Sequence, residues 1–384
     1  MASFCVKNYV QEKSVLSQLF PQPTGKNAYE DFVRAAELLK SSPVWAEAQQ
    51  RNTLSSRRRA LGDPAVRQAR ALIDAAMLKP LSSPIRELTI ATTFPEFAGF
   101  RDCARLLSAE MHVLFSEGRT AAALVSFSQG MRLGTAPKAI VLIGGLVGIA
   151  IDAILLARIK IHLEQLTPRD CDRVQATLRE HVEADRGNAE KALAAEMRFV
   201  ESMLPYLETS LKETVEGALM ADEEDSALAN VRMQAEAIDS DPIAKKRVIA
   251  AFLQGAKAHQ ARAQAYLINP QVLSPEPKLS EGTLEGALVN SLTPVYTRAV
   301  EKFVQDRIQC QLLYCHTAIR KYKWEWEKLP DSLDAMKLAD WALDPYTRQA
   351  FRYEKKGESY ELFSVGPRDE EGKRAPVHLP WRKD

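Results

Sequence analysis

The sequence predicts a mainly α-helical protein of stacked helical hairpins, partly tetratricopeptide-like, with a small C-terminal helix plus β-hairpin unit. Three observations predict this fold class. Apolar residues recur three or four positions apart along most of the chain. Proline, glycine and capping residues punctuate these periodic runs. Alternation typical of a β-hairpin is found near the C-terminus.

The composition is that of a globular protein that can bury a large core. The chain has 384 residues, of which 46% are hydrophobic and 26% charged. Its 51 Lys and Arg residues balance 50 Asp and Glu residues, which argues against nucleic acid as a partner. We interpret the basic cluster Arg57–Arg59 as a solvated helix face. The five cysteines are odd in number, so buried thiols are expected rather than a disulfide scaffold.

The first part of the chain is predicted to be a flexible lead-in, residues 1–26, followed by an α-helical domain, residues 27–268. A helix is expected near Ala28–Leu39, where apolar residues share one face. Asp63 followed by proline supplies an N-cap and a first-turn proline, which predict a second helix near Ala65–Met77.

The clearest local motif is a helical hairpin over Arg101–Gly134, with a glycine-containing turn at 116–119. It resembles a single tetratricopeptide unit. No second copy follows at that period, so we expect stacked helix pairs rather than a repeat array.

The most apolar segment, Ala139–Ile151, is followed by Asp152. A spanning helix needs about 20 apolar residues, so we expect a buried core helix that runs to about Leu166, and no membrane span. Three glycines at 144, 145 and 148 do not form a phosphate loop, because no strand precedes them and no Lys-Ser/Thr follows. They are expected to let another helix approach closely.

Further helices follow from local signals. A capping box that begins at Thr167 predicts a helix to about Asp185. The periodic run Ala189–Met220 predicts a long helix that Pro205 kinks or breaks. Asp241 followed by proline predicts the start of another helix.

Residues 269–293 contain several prolines and are the predicted linker to the C-terminal unit, residues 294–384. That unit is expected to begin with a helix near Pro294–Lys323. Two strand-like runs, Ala350–Tyr353 and Tyr360–Val365, then predict a hairpin.

The sequence contains no catalytic signature such as H-E-x-x-H, C-x-x-C or G-x-S-x-G. Cys310 and Cys315 would point about 140° apart on a helix, so we interpret them as core thiols. The six histidines are scattered. His181 and Asp185 are four residues apart, which we interpret as an ordinary contact on a helix surface. No catalytic or cofactor-binding residue is predicted.

One candidate metal site lies at the ends of the predicted hairpin. Asp344 precedes the first strand, and Asp369, Glu370 and Glu371 follow the second. Their oxygens could converge on a hard cation such as calcium. A solvated acidic turn is the alternative interpretation, and the one we favour.

Several short segments of the C-terminal unit follow one another in a recognisable order: Ala318 and Tyr322, Leu329–Leu333, Leu343–Tyr346, Phe351–Tyr353 and Tyr360–Pro367. In this order they resemble the globular part of the type II secretion major pseudopilins. The resemblance implies the fold of this unit and, if the family's calcium site is kept, Asp344 and Asp369 as its ligands. Arg348 departs from the pattern, and the pilin N-terminal helix is absent from the sequence, so we do not expect assembly as a pilin.

The whole chain also resembles a group of bacterial α-helical proteins of no known activity, which join an apolar helix like Gly144–Ile151 to the same C-terminal unit. Members often carry an N-terminal membrane anchor before a start that Asn27–Tyr29 matches. The resemblance implies an envelope setting. The location is periplasmic or envelope-facing if an anchor was removed, and otherwise cytoplasmic; the sequence leaves both open.

Three functions remain as hypotheses. The first is a non-enzymatic protein-interaction or scaffold protein of the bacterial cell envelope, with a protein partner. The second is an enzyme or small-ligand binder with a site built from dispersed residues. The third is a calcium-stabilised envelope module.

Overall fold

The computed structural model describes residues 14–85, 87–89, 92–213, 226–271, 283–292, 296–368 and 372–380. These residues form a mainly helical protein with a small two-stranded antiparallel sheet near the C-terminus. The prediction of a mainly α-helical fold with a small C-terminal β unit is confirmed.

The elements are numbered in chain order. The helices are α1 (Val15–Leu19), α2 (Ala28–Ser41), α3 (Pro43–Arg51), α4 (Leu54–Leu61), α5 (Pro64–Ala76), α6 (Glu96–Ser116), α7 (Thr120–Lys138), α8 (Leu142–Ile161), α9 (Pro168–Ala184), α10 (Asn188–Glu201), α11 (Leu204–Thr209), α12 (Ser226–Asp239), α13 (Pro242–Ile268), α14 (Leu284–Leu292) and α15 (Tyr296–Trp326). The strands are β1 (Arg352–Lys356) and β2 (Ser359–Phe363).

Local signals place the helix ends where the sequence predicts them. The Asp63 carboxylate accepts hydrogen bonds from the first amides of α5, and Asp241 does the same for α13. Thr167 forms the predicted capping box at the start of α9. The break at Pro205 is also confirmed, since this residue lies in the first turn of α11, just after α10 ends. Residues 214–220 of the predicted long helix lie outside the described residues.

Helices α6 and α7 form the predicted hairpin, and the turn between them is closed by Gly118 at a φ of 71°. One main hydrophobic core extends from α2 to the C-terminal unit. A second, smaller core lies among α10 to α14.

The long helix α15 packs on α8, α9 and α13, and its apolar face belongs to the main core. The predicted α-helical domain and the predicted C-terminal unit therefore share one core. The boundaries between them, at 268 and 294, remain predictions. Within the predicted linker, α14 buries Leu284, Leu288 and Val289 in the second core.

Helix α8 is the one helix of the described residues that is long and apolar enough to cross a membrane. Of its most apolar window, 67% is buried inside the protein, which fits the predicted core helix. A Cβ added at Gly144 would overlap the carbonyl oxygen of Pro137, and one at Gly145 would overlap the ring of Phe303. The glycines therefore let α7 and α15 approach α8 closely, as predicted.

The C-terminal unit holds its hairpin against α15. Strands β1 and β2 pair in antiparallel register from Arg352 opposite Phe363 to Lys356 opposite Ser359, and Gly357 turns between them at a φ of 63°. The first strand begins later than predicted, because the Phe351 amide donates to Ala342 rather than to β2.

The prediction of a solvated basic face holds for Arg58 and Arg59, which are exposed. It is wrong for Arg57, which is only 6% exposed. Its guanidinium contacts His112 and Asn52 instead of water, because this turn of α4 packs on α6.

Candidate functional site

Five ionisable side chains meet inside the protein, where α7, α8, α9 and α15 come together. We call this set the charge cluster; its members are Lys138, Asp152, His181, Asp185 and Asp306. Lys138 is 1% exposed and Asp152 0%, while His181 and Asp306 are each 5% exposed. Asp185 is partly buried at the edge. Charged groups are almost never this buried unless they are paired.

The ammonium group of Lys138 lies at the centre of the cluster. Its Nζ donates to Asp152 Oδ2 at 2.5 Å, to Asp306 Oδ2 at 2.7 Å, and to Asp185 Oδ2. An ammonium has three N–H donors, and here each has a carboxylate acceptor. The imidazole Nε2 of His181 lies 2.8 Å from Asp152 Oδ2 and 3.3 Å from Asp185 Oδ2, which adds a second basic group.

The helices aim these side chains at one point. Lys138 is the last residue of α7, where the helix dipole favours a cation. His181 and Asp185 are four residues apart at the end of α9, so they share one face. Asp152 and Asp306 come from the buried faces of α8 and α15.

Two glycines make room for the cluster. A Cβ at Gly134 would overlap Asp152 Oδ1, and one at Gly148 would overlap both the aliphatic stem of Lys138 and the Gly134 carbonyl oxygen. Helices α7 and α8 can bring the lysine and the aspartate together only because neither position carries a side chain.

The members shift one another's pKa values. Burial would raise the pKa of Asp152, but His181 and Lys138 outweigh burial and hold it below its usual range. Burial would lower the pKa of His181 and of Lys138, but the neighbouring carboxylates raise both. For Asp306, burial dominates over the attraction of Lys138 and raises the pKa to about 7. Burial therefore favours the protonated form of the Asp306 carboxyl group.

A cavity of about 290 Å³, which we call the charge cavity, adjoins the cluster. His181, Asp185 and Asp306 line its polar side. Its apolar side and its exposed mouth are formed by the following residues: Val182, Ala189, Leu267, Phe303 and Cys310, then Arg186, Glu190 and Arg307. His181 also lines a wide groove of about 1100 Å³ between α7 and α9.

The cluster could hold a metal only if Lys138 moved. The ligand atoms of Asp152, His181, Asp185 and Asp306 lie within 4.8 Å of one another, a spacing that suits a cation. Lys138 Nζ already bonds three of these carboxylates. The protein supplies the cation itself, and we assign no metal to the cluster.

The predicted calcium residue Asp344 lies away from the charge cluster, in the C-terminal unit. It is 1% exposed. Its Oδ1 accepts from the Tyr346 amide at 3.0 Å and its Oδ2 from the Val365 amide at 2.8 Å. Asp344 therefore shapes a turn and ties it to the residues after β2. Asp369, Glu370 and Glu371 lie outside the described residues, so the calcium pair stays a prediction.

Sequence reasoning missed the charge cluster. The interpretation of His181 and Asp185 as a surface contact is wrong, because His181 is 5% exposed and bonded into the core. The available signal was a charged residue, Asp152, inside an apolar run beside closely spaced glycines.

Cys310 and Cys315 are buried, as predicted, and burial raises the pKa of the Cys310 thiol well above its usual range.

Comparison with known proteins adds no relative: no family model, no curated protein and no solved structure matches this chain. The resemblance of the C-terminal unit to pseudopilins therefore stays a prediction.

Proposed function

We propose that this protein binds a small polar ligand in the charge cavity. The observation that carries the proposal is the convergence of five ionisable side chains from four helices, three of which, His181, Asp185 and Asp306, line a cavity. Such a site is built from dispersed residues, which is the second hypothesis that the sequence leaves open.

The charge cluster holds four helices together at a higher cost in free energy than apolar contacts would. Removing charges from water costs several kcal/mol per ion, and well-packed apolar side chains often stabilise a core equally well or better. Gly134 and Gly148 add to this cost, because each leaves a helix interior without a side chain. Groups with perturbed pKa values beside a cavity are typical of functional sites.

The size and lining of the cavity favour a small molecule. Ligand pockets commonly enclose roughly 300–1,000 Å³ and combine apolar walls with a few polar groups. The charge cavity, at about 290 Å³, lies just below the lower end of that range and therefore suits a small ligand. His181, Asp185 and Asp306 supply the polar groups, and Val182, Leu267 and Phe303 supply apolar surface.

A thermal-shift screen of small polar molecules, followed by calorimetry, tests this proposal. Val182→Phe fills the cavity from its wall without touching the ion pairs, and we expect it to weaken binding of any hit at least tenfold. Ile243→Phe, at a 68% exposed position on α13 that lines neither the charge cavity nor the wide groove, is the control and should bind like the wild type. The proposal is overturned if no compound binds, or if Val182→Phe binds every hit as well as the wild type does.

A second candidate function, the interaction protein of the cell envelope, is favoured by a separate apolar groove beside α8. This groove encloses about 600 Å³ and is lined by Phe94, Ile143, Leu146 and Phe199. Ile143 is 57% exposed and Leu146 is 40% exposed. Exposed apolar patches of this kind often mark partner surfaces.

Crosslinking and co-purification from the native host test the interaction function. Leu146→Asp should abolish capture of a specific partner, whereas Ile268→Asp, at a 74% exposed position outside the groove, should not. A protein that stays alone under mild crosslinking, or equal capture by both variants, would count against it.

A further inference from the structure

We infer that the wide groove between α7 and α9 is the interface of a homodimer, in which α9 of each copy lies in the groove of the other. The inference goes beyond the proposed ligand binding and does not depend on it. It is carried by the groove together with a charge pattern on α9 that is complementary to itself.

The wide groove has the dimensions of a helix-binding site. It encloses about 1100 Å³ and extends along α7 from Ala121 to Thr135. These two residues are fourteen positions apart in the chain, which is about 21 Å at the helical rise of about 1.5 Å per residue. Helix α9 has 17 residues, or about 25 Å by the same measure. A helix of the length of α9 therefore matches the groove.

Apolar side chains on this face of the molecule are exposed. Val125 of α7 lines the groove and is 55% exposed. Met77 also lines it, and Leu78, the next residue in the chain, is 90% exposed, more than any other large hydrophobic side chain that the structure describes. Exposed apolar surface of this kind often marks an interface. Two copies of this chain would repel each other little, because the net charge is only +1.

Among the described residues, four titratable side chains line the groove: Arg132, Arg173, Glu180 and His181. His181 is bonded into the charge cluster. Arg132 donates to two backbone carbonyl oxygens of the segment that follows α5. Arg173 and Glu180 are exposed on α9. Arg173 lies 3.8 Å from Asp170, a long ion pair, so its guanidinium can turn to another carboxylate.

Arg173 and Glu180 form a pattern that a two-fold axis makes complementary. They are seven residues apart, or two helical turns, so they lie on one face of α9. Midway between them are Ala176 and Thr177, whose small side chains also line the groove. If two copies of α9 cross antiparallel at this point, Arg173 of each copy meets Glu180 of the other. Reciprocal contacts of this kind define an isologous dimer interface.

The same crossing fills both grooves at once. Helix α9 is one wall of the groove in its own copy, and under the two-fold axis it is also the ridge that enters the groove of the other copy. Helices commonly pack in this way, with the ridges of one in the grooves of another. A helix of an unrelated protein would have to carry a matching acid and base, whereas a second copy has them by symmetry.

Sedimentation velocity of the intact protein tests the inference. The wild type should sediment as a dimer at micromolar concentration, with twice the chain mass of 42.8 kDa. Arg173→Glu and Glu180→Arg should each place like charges opposite one another and weaken dimerisation at least about a hundredfold. Mixed in equal amounts, the two variants should form a heterodimer, because each supplies the charge that the other needs.

Arg51→Glu, at an exposed position on α3 outside the groove, is the control and should dimerise like the wild type. Rescue by mixing separates lost charge complementarity from misfolding. The inference is overturned if the wild type is a monomer at every concentration, if both single variants dimerise as the wild type does, or if their mixture stays monomeric. The first of these results needs no variant, and none of them bears on ligand binding in the charge cavity.

Discussion

Two aspartates are buried almost completely but are stabilised in opposite ways. Asp152, 0% exposed, is neutralised by the side chains of Lys138 and His181, which come from other helices. Asp344, 1% exposed, is stabilised by the backbone amides of Tyr346 and Val365. The difference shows that a turn can stabilise a carboxylate with its own backbone amides. The face of a helix offers no free amides, because they already bond within the helix. A charge on such a face therefore needs counter-charges from neighbouring helices.

The two arrangements should respond differently to mutation and to pH. Around Asp152, each missing partner leaves other charges buried and unpaired. Around Asp344, loss of the carboxylate leaves two backbone amides without their acceptor. The first arrangement is therefore expected to be the more fragile one, and the one that senses protons.

The largest effect is expected for Lys138→Met. This change removes the shared cation and leaves the carboxylates of Asp152, Asp185 and Asp306 facing one another. Breaking a buried ion pair from one side typically costs about 3–5 kcal/mol in the free energy of unfolding. Denaturant unfolding measures this loss. Arg51→Met, which breaks an exposed pair with Glu47, is the control and should cost less than about 1 kcal/mol. Equal costs for the two variants would show that the cluster stabilises nothing.

A smaller loss is expected for Gly148→Ala, which leaves every charge in place. The new Cβ would collide with the stem of Lys138 and the Gly134 carbonyl oxygen, so α7 and α8 must separate. Overpacking of this kind costs about 1–3 kcal/mol. Gly62→Ala is the matched control, since its Cβ would make only ordinary contacts, at 3.4 Å from the Arg59 and 3.9 Å from the Arg58 carbonyl oxygen. An unchanged free energy of unfolding for Gly148→Ala would contradict the close approach of the two helices.

At the other aspartate, Asp344→Ala should cost about 1–2 kcal/mol, because two backbone donors lose their acceptor. A thermal melt measures this loss of stability.

The same melt with and without a calcium chelator tests the hypothesis of a calcium-stabilised envelope module. We expect no shift in the melting temperature, because both carboxylate oxygens already accept amide hydrogens. A melting temperature that drops with chelator in the wild type but not in Asp344→Ala would favour the calcium site instead.

The smallest effect is the pH dependence that the charge cluster contributes. The pKa of Asp306 rises from 3.8 to about 7 on folding. The folded state thus holds a proton that the unfolded state has lost, and stability falls as pH rises. His181, whose folded pKa is also raised, contributes stability below pH 6.5 that is lost as pH rises through its folded pKa.

Together these two groups predict that the charge cluster loses on the order of 1 kcal/mol of stability between pH 6 and pH 8. Burial lowers the pKa of His316 to about 3, so His316 adds stability over the same interval and offsets part of this loss. Urea unfolding at several pH values compares the slopes: from pH 6 to pH 8 the wild type should lose on the order of 1 kcal/mol relative to Asp306→Asn, and Asp344→Ala should keep the wild-type slope. Equal slopes for the wild type and Asp306→Asn would contradict the assignment.

Much of the fold could be predicted because its signals are local. Asp63, Thr167 and Asp241 each cap the helix that begins beside them, Pro205 breaks a helix at its own position, and Gly357 closes a turn between adjacent strands. In each case the backbone hydrogen bonds concerned lie within a few residues, so the sequence around the position contains the whole cause.

The C-terminal site shows where such reasoning stops. The sequence predicts that acidic residues could converge at the ends of the hairpin, and Asp344 does lie beside the residues that follow β2. What its oxygens bind could not be predicted, since this depends on the path of the turn and on where the Val365 amide points.

By itself, the sequence determined that this chain is mainly helical, that α8 is buried, and that a hairpin closes the C-terminal unit, because periodicity and caps act over short distances. Only the tertiary structure decided that Lys138, Asp152, His181 and Asp306 would meet. These residues belong to four different helices, and they form a site because glycines on α7 and α8 let those helices touch while α9 and α15 pack against them.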